Sequence, residues 1–293
     1  MERERLLLLL VCVVSWPLLV LGAFAPWQMP PAAAAVEQER RYAHLLLRPL
    51  VLPVLAAAWL VGWASQEPDA TDEWLAAPAI ALTIPFGLIV LRACARTGLS
   101  VWRARRAAPA CTVGLFRPRV VIDPAVEQAL DPTELAAVRE HEAAHARHRD
   151  PLRILVMSFV ADLQWPLRPA TRGYRRWQHA LELARDDEAR ARGASGEALA
   201  TGILAVARLM QRPPARAVAT LVSVDEGAAL RARVDRLLRP LSTPSPRGVA
   251  RGRLGVASWA ALMLSATLAA TYLGATYGEA WLRACPGIAC AKD

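Results

Sequence analysis

The residues with the clearest chemical potential form one short run, His141-Glu142-Ala143-Ala144-His145. Residues four apart on an α-helix lie about one turn apart on the same face, so both imidazoles can bind one metal ion. Glu142 lies beside them, where its carboxylate can reach a water molecule on that ion. This is the HExxH spacing of zinc peptidases, in which zinc activates water and the glutamate relays its proton. We therefore predict His141 and His145 as metal ligands, Glu142 as the catalytic base and Zn²⁺ as the cofactor.

A catalytic zinc site needs a third protein ligand and an open position. Glu182 is the preferred third ligand, because the run ELARD places Asp186 one turn later on the same helix face. Asp186 could accept the Nδ1 hydrogen of a zinc histidine and fix its tautomer. Taken alone, such a charged run is typical of an exposed, salt-bridged helix. His148 is expected at the surface, whereas Glu188 and His179 are alternative ligands.

Several elements must position these residues. The metal helix is predicted over Ala136–Arg149, with Asp131 or Thr133 as its cap and Pro132 in the first turn. Before it, Thr112–Asp123 is rich in β-branched residues and is predicted as a short hairpin or two small strands. Residues 240–249 are predicted as a linker. Further helices are predicted over Leu152–Trp165, Tyr174–Arg192, Glu197–Gln211 and Asp225–Leu238.

The composition favours a membrane protein. Of the 293 residues 55% are hydrophobic, and a mean hydropathy of +0.25 excludes a disordered chain. Five cysteines in this length exclude a small disulfide-stapled scaffold. A bilayer core takes about 20 apolar residues in helical form. The sequence predicts four such spans, at Leu6–Trp27, Pro49–Ala64, Trp74–Leu91 and Leu254–Ala275.

The arginines predict the orientation of the spans. They follow the third span and precede the fourth, whereas loop 65–73 carries four acidic residues and no basic one. By the positive-inside rule, residues 92–253 are cytosolic, and the N-terminus, loop 65–73 and the tail face out. A cleaved signal peptide is the alternative for the first run. The net charge of +9 is explained by topology and by anionic lipid, and no nucleic-acid motif is present.

These predictions divide the chain into four parts. Residues 1–95 form a membrane region with three transmembrane helices, and residues 96–253 form the cytosolic domain. Residues 254–275 form the fourth span, and residues 276–293 form a short extracellular tail. Cys285 and Cys290 lie together in that tail, where a disulfide could persist.

The order of these segments resembles the membrane zinc metallopeptidases of the beta-lactam sensor (BlaR/MecR-type) family. The similarity covers essentially residues 1–275. The resemblance implies a mainly α four-span protein with a cytosolic, mostly helical, zincin-like domain and a small β element. It also implies signalling by cleavage of a winged-helix transcriptional repressor at the cell membrane. The matching residues are the segment Gly114–Pro118, the HExxH run, Asp150, the run Glu182, Leu183 and Asp186, and the segment Arg233–Leu238.

The chain departs from that family at its carboxyl end. The antibiotic sensors carry a penicillin-binding domain after the fourth span, whereas here 18 residues follow, without a Ser-x-x-Lys motif. Direct sensing of a beta-lactam is therefore not expected. Two other functions stay open: a quality-control protease that degrades membrane proteins, and a non-catalytic membrane adaptor with a structural metal site. The presence of Glu142 argues against the adaptor, because a structural site does not need a general base.

Overall fold

The computed structural model describes position 19 and residues 34–64, 77–104, 109–210, 224–240 and 264–277. Helix accounts for 82% of the described residues, and the strands form a single two-stranded sheet within that part of the chain. The predicted mainly α class with a small β element is therefore confirmed. The strands are β1 (Ala110–Val113) and β2 (Arg119–Ile122). The helices are α1 (Ala35–Ala64), α2 (Ala77–Ala104), α3 (Pro124–Ala129), α4 (Pro132–Arg147), α5 (Asp150–Leu163), α6 (Arg168–Ala191), α7 (Gly196–Met210), α8 (Val224–Leu237) and α9 (264–277).

The metal helix α4 begins at Pro132 with Asp131 as its cap, one of the two caps that the sequence predicted, and a complete capping box forms there. The Asp131 carboxylate accepts hydrogen bonds from the Thr133 and Glu134 amides, both at 2.8 Å. In return, the Asp131 amide donates to the Glu134 carboxylate at 3.1 Å. These contacts satisfy backbone donors that a helix otherwise leaves unpaired at its start.

Helix α6 differs from expectation, because it starts at Arg168 rather than at Tyr174. Pro169 stands in its first turn, where the missing amide hydrogen costs nothing. Ala170 and Gly173 are buried, so the extra turn completes the packing of α6 inside the domain. The first turns of α6 are rich in arginine and bury only these small residues, so their sequence shows no apolar face.

The hairpin of β1 and β2 lies against α4. Its strands pair antiparallel, with Cys111 opposite Val121 and Thr112 opposite Val120. Gly114 starts the turn with φ +97°, in the left-handed region that favours glycine. A Cβ there would lie 2.6 Å from the Arg117 carbonyl oxygen, so glycine is required for the turn to close.

A sharp turn connects α4 to α5. Arg149 adopts φ 52° and ψ 42°, which reverses the direction of the chain between the two helices. As a result Asp150, the first residue of α5, comes to lie beside the carboxyl end of α4 and is fully buried. The turn therefore brings a carboxylate back towards the predicted metal ligands.

The amino half of α1 belongs to the core of the domain. It packs along α6 and also contacts α5. Leu46 of α1 is fully buried, and the carboxylate-bearing Glu39 is only 3% exposed. The first turns of α1 are therefore enclosed by protein. The largest core cluster consists of Leu46, Met157, Val160, Ala170, Trp177 and Leu181.

By length and composition, Ala35–Trp59 of α1 could cross a membrane, and it is the one such stretch in the described ranges. A core helix or a signal sequence can have the same composition. Helices α2 and α9 contain parts of the third and fourth predicted spans. The first span (apart from position 19), loop 65–73, and Cys285 and Cys290 lie outside the described residues, and the four-span arrangement stays a prediction.

Candidate metal centre

The predicted ligands come together between α4 and α6. His141 and His145 face each other with their Nε2 atoms 3.1 Å apart. The Glu182 carboxylate oxygens lie 3.5 Å from Nε2 of His141 and 3.6 Å from Nε2 of His145. Within the part of the chain that the structure describes, these residues form the one His, Cys or acidic group close enough to hold a metal ion. Two imidazoles and one carboxylate are a donor set that suits catalytic zinc.

A carboxylate lies close to the Nδ1 atom of each histidine. Asp150 Oδ2 lies 2.9 Å from Nδ1 of His145, and Asp186 Oδ1 lies 3.0 Å from Nδ1 of His141. The second pair is close but not well aligned for a hydrogen bond. A hydrogen on each Nδ1 leaves each Nε2 lone pair free to bind a metal. Asp186 is therefore placed where its predicted supporting role requires, and Asp150 has the same position at the other histidine.

Asp150 is held by two arginines. Arg185 donates to both of its oxygens, at 2.5 and 3.0 Å, and Arg153 donates to Oδ1 at 2.8 Å. Arg153 also binds Glu39 of α1. Burial alone would raise the pKa of Asp150, but His145 and the two guanidinium groups hold it well below its usual range. The carboxylate behind His145 therefore stays ionised, and the network that holds it extends to α1.

Arg233 of α8 holds the other half of the site. Its guanidinium binds Asp186 through two hydrogen bonds, of 2.6 and 2.8 Å, and lies 2.9 Å from Glu182 Oε2. Burial alone would raise the pKa of Glu182, but Arg233 and the two histidines lower it well below its usual range. One Arg233 nitrogen also lies 3.1 Å from Nε2 of His141. Because a guanidinium only donates, this Nε2 accepts when the ring is neutral, which is the tautomer that metal binding needs.

Glu142 lies beside the ligands and is positioned by β1. The Thr112 hydroxyl is 3.0 Å from Glu142 Oε2 and 2.7 Å from the Glu142 backbone oxygen. Both Thr112 and Glu142 line a cavity of about 1060 Å³ that also contains the three metal-site ligands. Burial and the Glu142 charge raise the pKa of the neighbouring Cys111 thiol, which is therefore neutral. The Glu142 carboxylate is thus accessible from the cavity without being one of the three ligands.

The alternative ligands lie elsewhere. His148 Nε2 is 2.7 Å from Glu188 Oε2, and Arg147 donates to the other Glu188 oxygen at 2.9 Å. Burial alone would raise the pKa of Glu188, but these two partners lower it to about 2. Burial lowers the pKa of His179, which is not in the metal group. Glu188 therefore belongs to an ion-pair cluster at the surface and not to the metal site.

Sequence reasoning did not assign roles to several residues that build this centre. Asp150 is among the residues that carry the family resemblance, but the sequence predicts no contact between it and a histidine. Glu39 is 114 positions from its partner Arg153, and no local pattern connects them. The unassigned residues are Glu39, Thr112, Asp150, Arg153, Arg185 and Arg233.

The arrangement offers two imidazoles, a carboxylate ligand and an accessible base at one cavity. Such a set can hold a divalent metal ion and can remove a proton from a water molecule beside it. Comparisons of the chain with family models, with curated proteins and with solved structures each found no match.

Proposed function

We propose that the protein is a zinc-dependent endopeptidase that hydrolyses peptide bonds of protein substrates. The observation that carries this proposal is the convergence of His141, His145 and Glu182, with Glu142 beside them on the wall of a large cavity. The ligand set fits zinc, and the extra carboxylate fits hydrolysis. A purely structural metal site, or a non-haem iron site, would have no use for Glu142 at this place.

His141, His145 and Glu182 would hold the zinc ion, which when bound supplies a Lewis acid for the scissile carbonyl and makes water more acidic. The Glu142 carboxylate accepts a proton from the attacking water and passes it to the nitrogen of the leaving amine. Thr112 holds that carboxylate towards the cavity. Asp150 and Asp186 keep the two imidazoles in the tautomer that binds metal.

The cellular setting is also proposed. The protein would be a four-span protein of the cell membrane, with the metal centre on the cytosolic side. Support comes from the apolar runs, from the arginines beside them and from α1, which carries a span-length apolar stretch and reaches the metal domain. The resemblance to the beta-lactam sensor peptidases suggests signal transduction by cleavage of a winged-helix transcriptional repressor. Quality control of membrane proteins is the alternative.

A zinc and activity measurement tests the proposal. Full-length protein purified in detergent should contain about one zinc ion, and changing either histidine to alanine should remove most of it. Glu142→Gln should keep the zinc ion and reduce cleavage of an unfolded reporter protein about 100-fold or more. The control is Glu140→Gln, because Glu140 pairs with Arg147 at 2.9 Å and does not line the cavity.

Outcomes in vitro and in cells decide between the possible results. Equal activity of Glu142→Gln and wild type would refute the peptidase mechanism. Full zinc content in Glu182→Ala would show that the third ligand is another residue. In cells, loss of repressor cleavage in the Glu142→Gln strain would support signalling, whereas accumulation of uncut membrane proteins beside an untouched repressor would support quality control.

A further inference from the structure

The cavity at the metal centre is a groove with an apolar wall at each end. Its volume of about 1060 Å³ is slightly larger than the roughly 300–1,000 Å³ that is usual for small-ligand pockets. At one end α7 contributes Leu199, Ile203 and Val206, which recur at helical spacing on one face. At the other end α5 contributes Ile154 and Leu155.

The two walls lie on opposite sides of the metal ligands. Helix α7 packs on the amino half of α4, because Gly202 allows its backbone to approach Val138 closely. Helix α5 instead begins at the carboxyl end of α4, after the reversal at Arg149. Along the chain, His141 and His145 follow Val138 and precede the turn into α5. An extended chain that crosses the centre would therefore contact α7 on one side and α5 on the other.

Charge is confined to the middle of the groove. The acidic and basic residues of its lining are Glu142, Asp150, Glu182 and Arg233, and all four belong to the metal centre. The end walls consist of Leu, Ile, Val, Ala and Pro side chains, joined by the neutral hydroxyls of Ser158 and Tyr174. A charged substrate side chain placed against either wall would lose its water without gaining a partner, which is strongly unfavourable.

We infer that this groove selects extended polypeptide segments that carry apolar, uncharged side chains on both sides of the scissile bond. The inference rests on the proposed peptidase function and specifies the substrate class of the same site. Apolar segments are normally buried in folded proteins. The substrates would therefore be chains that expose such a segment by local unfolding, or that carry it in an unstructured region.

Cleavage-site profiling tests the inference. Zinc-loaded full-length enzyme is incubated with a library of peptides from digested cellular proteins, and new ends are identified by mass spectrometry. Only cuts that wild type makes and the Glu142→Gln variant does not make are attributed to the enzyme. We expect apolar residues on both sides of these cuts. Cuts flanked by charged residues would overturn the inferred substrate selection but not the proposed peptidase function. The absence of any Glu142-dependent cut would overturn both the selection and the function.

Two variants, each with one added negative charge, test which side of the scissile bond each wall contacts. Ile203→Glu in α7 and Ile154→Glu in α5 should each lower kcat/KM for apolar peptides about tenfold or more, mainly through KM. Each should also improve cleavage of peptides with lysine on its own side of the bond. The controls are Thr201→Glu and Val156→Glu, which place the same charge on exposed positions of α7 and α5 outside the groove.

Zinc content reports whether each variant keeps its fold. Should a glutamate variant lose zinc, Ile203→Ala enlarges the α7 end without adding charge. It should shift the preference on that side of the scissile bond towards larger apolar residues. An unchanged cleavage profile in zinc-loaded Ile203→Ala or Ile203→Glu protein would overturn the role of the α7 wall.

Discussion

At the residue scale, each metal-facing imidazole is oriented by a carboxylate on its far side. Asp150 and Asp186 do this from different helices, and both are almost completely buried. Each carboxylate is in turn neutralised by an arginine, Asp150 by the buried Arg185 and Asp186 by the partly buried Arg233. The ligand geometry therefore depends on paired charges that surround the ligands, as is usual for supporting groups in metal sites.

Replacing one of these carboxylates should weaken metal binding. Asp186→Asn removes the charge behind His141 and one partner of Arg233, so we expect zinc affinity to fall about tenfold or more. The measurement is competition with a chromophoric chelator. The matched control is the adjacent Asp187→Asn, because Asp187 pairs with Arg236 at 2.5 Å and is not in the metal group. Equal affinity in both variants would show that Asp186 does not support the ligand.

At the element scale, α1 contributes directly to the metal centre. Its Glu39 is buried, binds Arg153 and lies 3.8 Å from Arg185. Both arginines bind Asp150, the partner of His145. A continuous series of ion pairs therefore connects this apolar, span-length helix to a metal ligand. A movement of α1 would therefore change the environment of Asp150, and α1 also packs on Leu183 and Ala184, next to Glu182.

Glu39→Gln tests that connection. It leaves the buried Arg185 and the partly buried Arg153 with one carboxylate fewer, so we expect the free energy of unfolding to fall by about 2–4 kcal/mol and zinc affinity to fall with it. The control on the same helix is Glu37→Gln, which removes only an exposed pair with Arg41 and should cost about 0.5 kcal/mol or less. Denaturant titration in detergent measures both. Similar losses in the two variants would contradict the network.

The contact between α4 and α7 depends on one glycine. A Cβ on Gly202 would lie 2.4 Å from Val138 Cγ2, so Gly202→Ala should push the helices apart and destabilise the protein by about 1–3 kcal/mol. Gly227→Ala in α8 is the matched control, because no atom lies within 4 Å of the added Cβ. It should be neutral or stabilise by up to about 1 kcal/mol. Thermal unfolding in detergent distinguishes the two; a stable Gly202→Ala protein would contradict the close packing.

At the scale of the whole molecule, the metal domain is built around the first turns of α1. The same helix carries the span-length apolar stretch Ala35–Trp59, which includes those first turns. The arginine pattern predicts that the metal domain lies on the cytosolic side. Reporter fusions after residues 70 and 280 should therefore report an outside location, and fusions after residues 110 and 245 an inside location. An outside signal at residue 245 would refute the predicted orientation, because positive charge then fails to hold that segment in the cytosol.

The sequence by itself determined the local features of this protein. The HExxH residues were readable because a helix places residues four apart on one face whatever surrounds it. The capping residues of α4 and the β-branched hairpin were readable for the same reason: their partners lie a few positions away. The mainly α class with a small β element followed from these local patterns.

Only the tertiary structure decided which distant residues complete the site. Hydropathy records that Leu46 is apolar but does not distinguish lipid from a protein core, so its burial against Trp177 was not predictable. The ion-pair partners of Glu39 and Arg233 were also not predictable. The local sequence around a single charged residue in a helix does not show whether its side chain faces solvent or an ion-pair partner. Such contacts arise when separate helices pack, and the free energy that selects them comes from burying all the surfaces together.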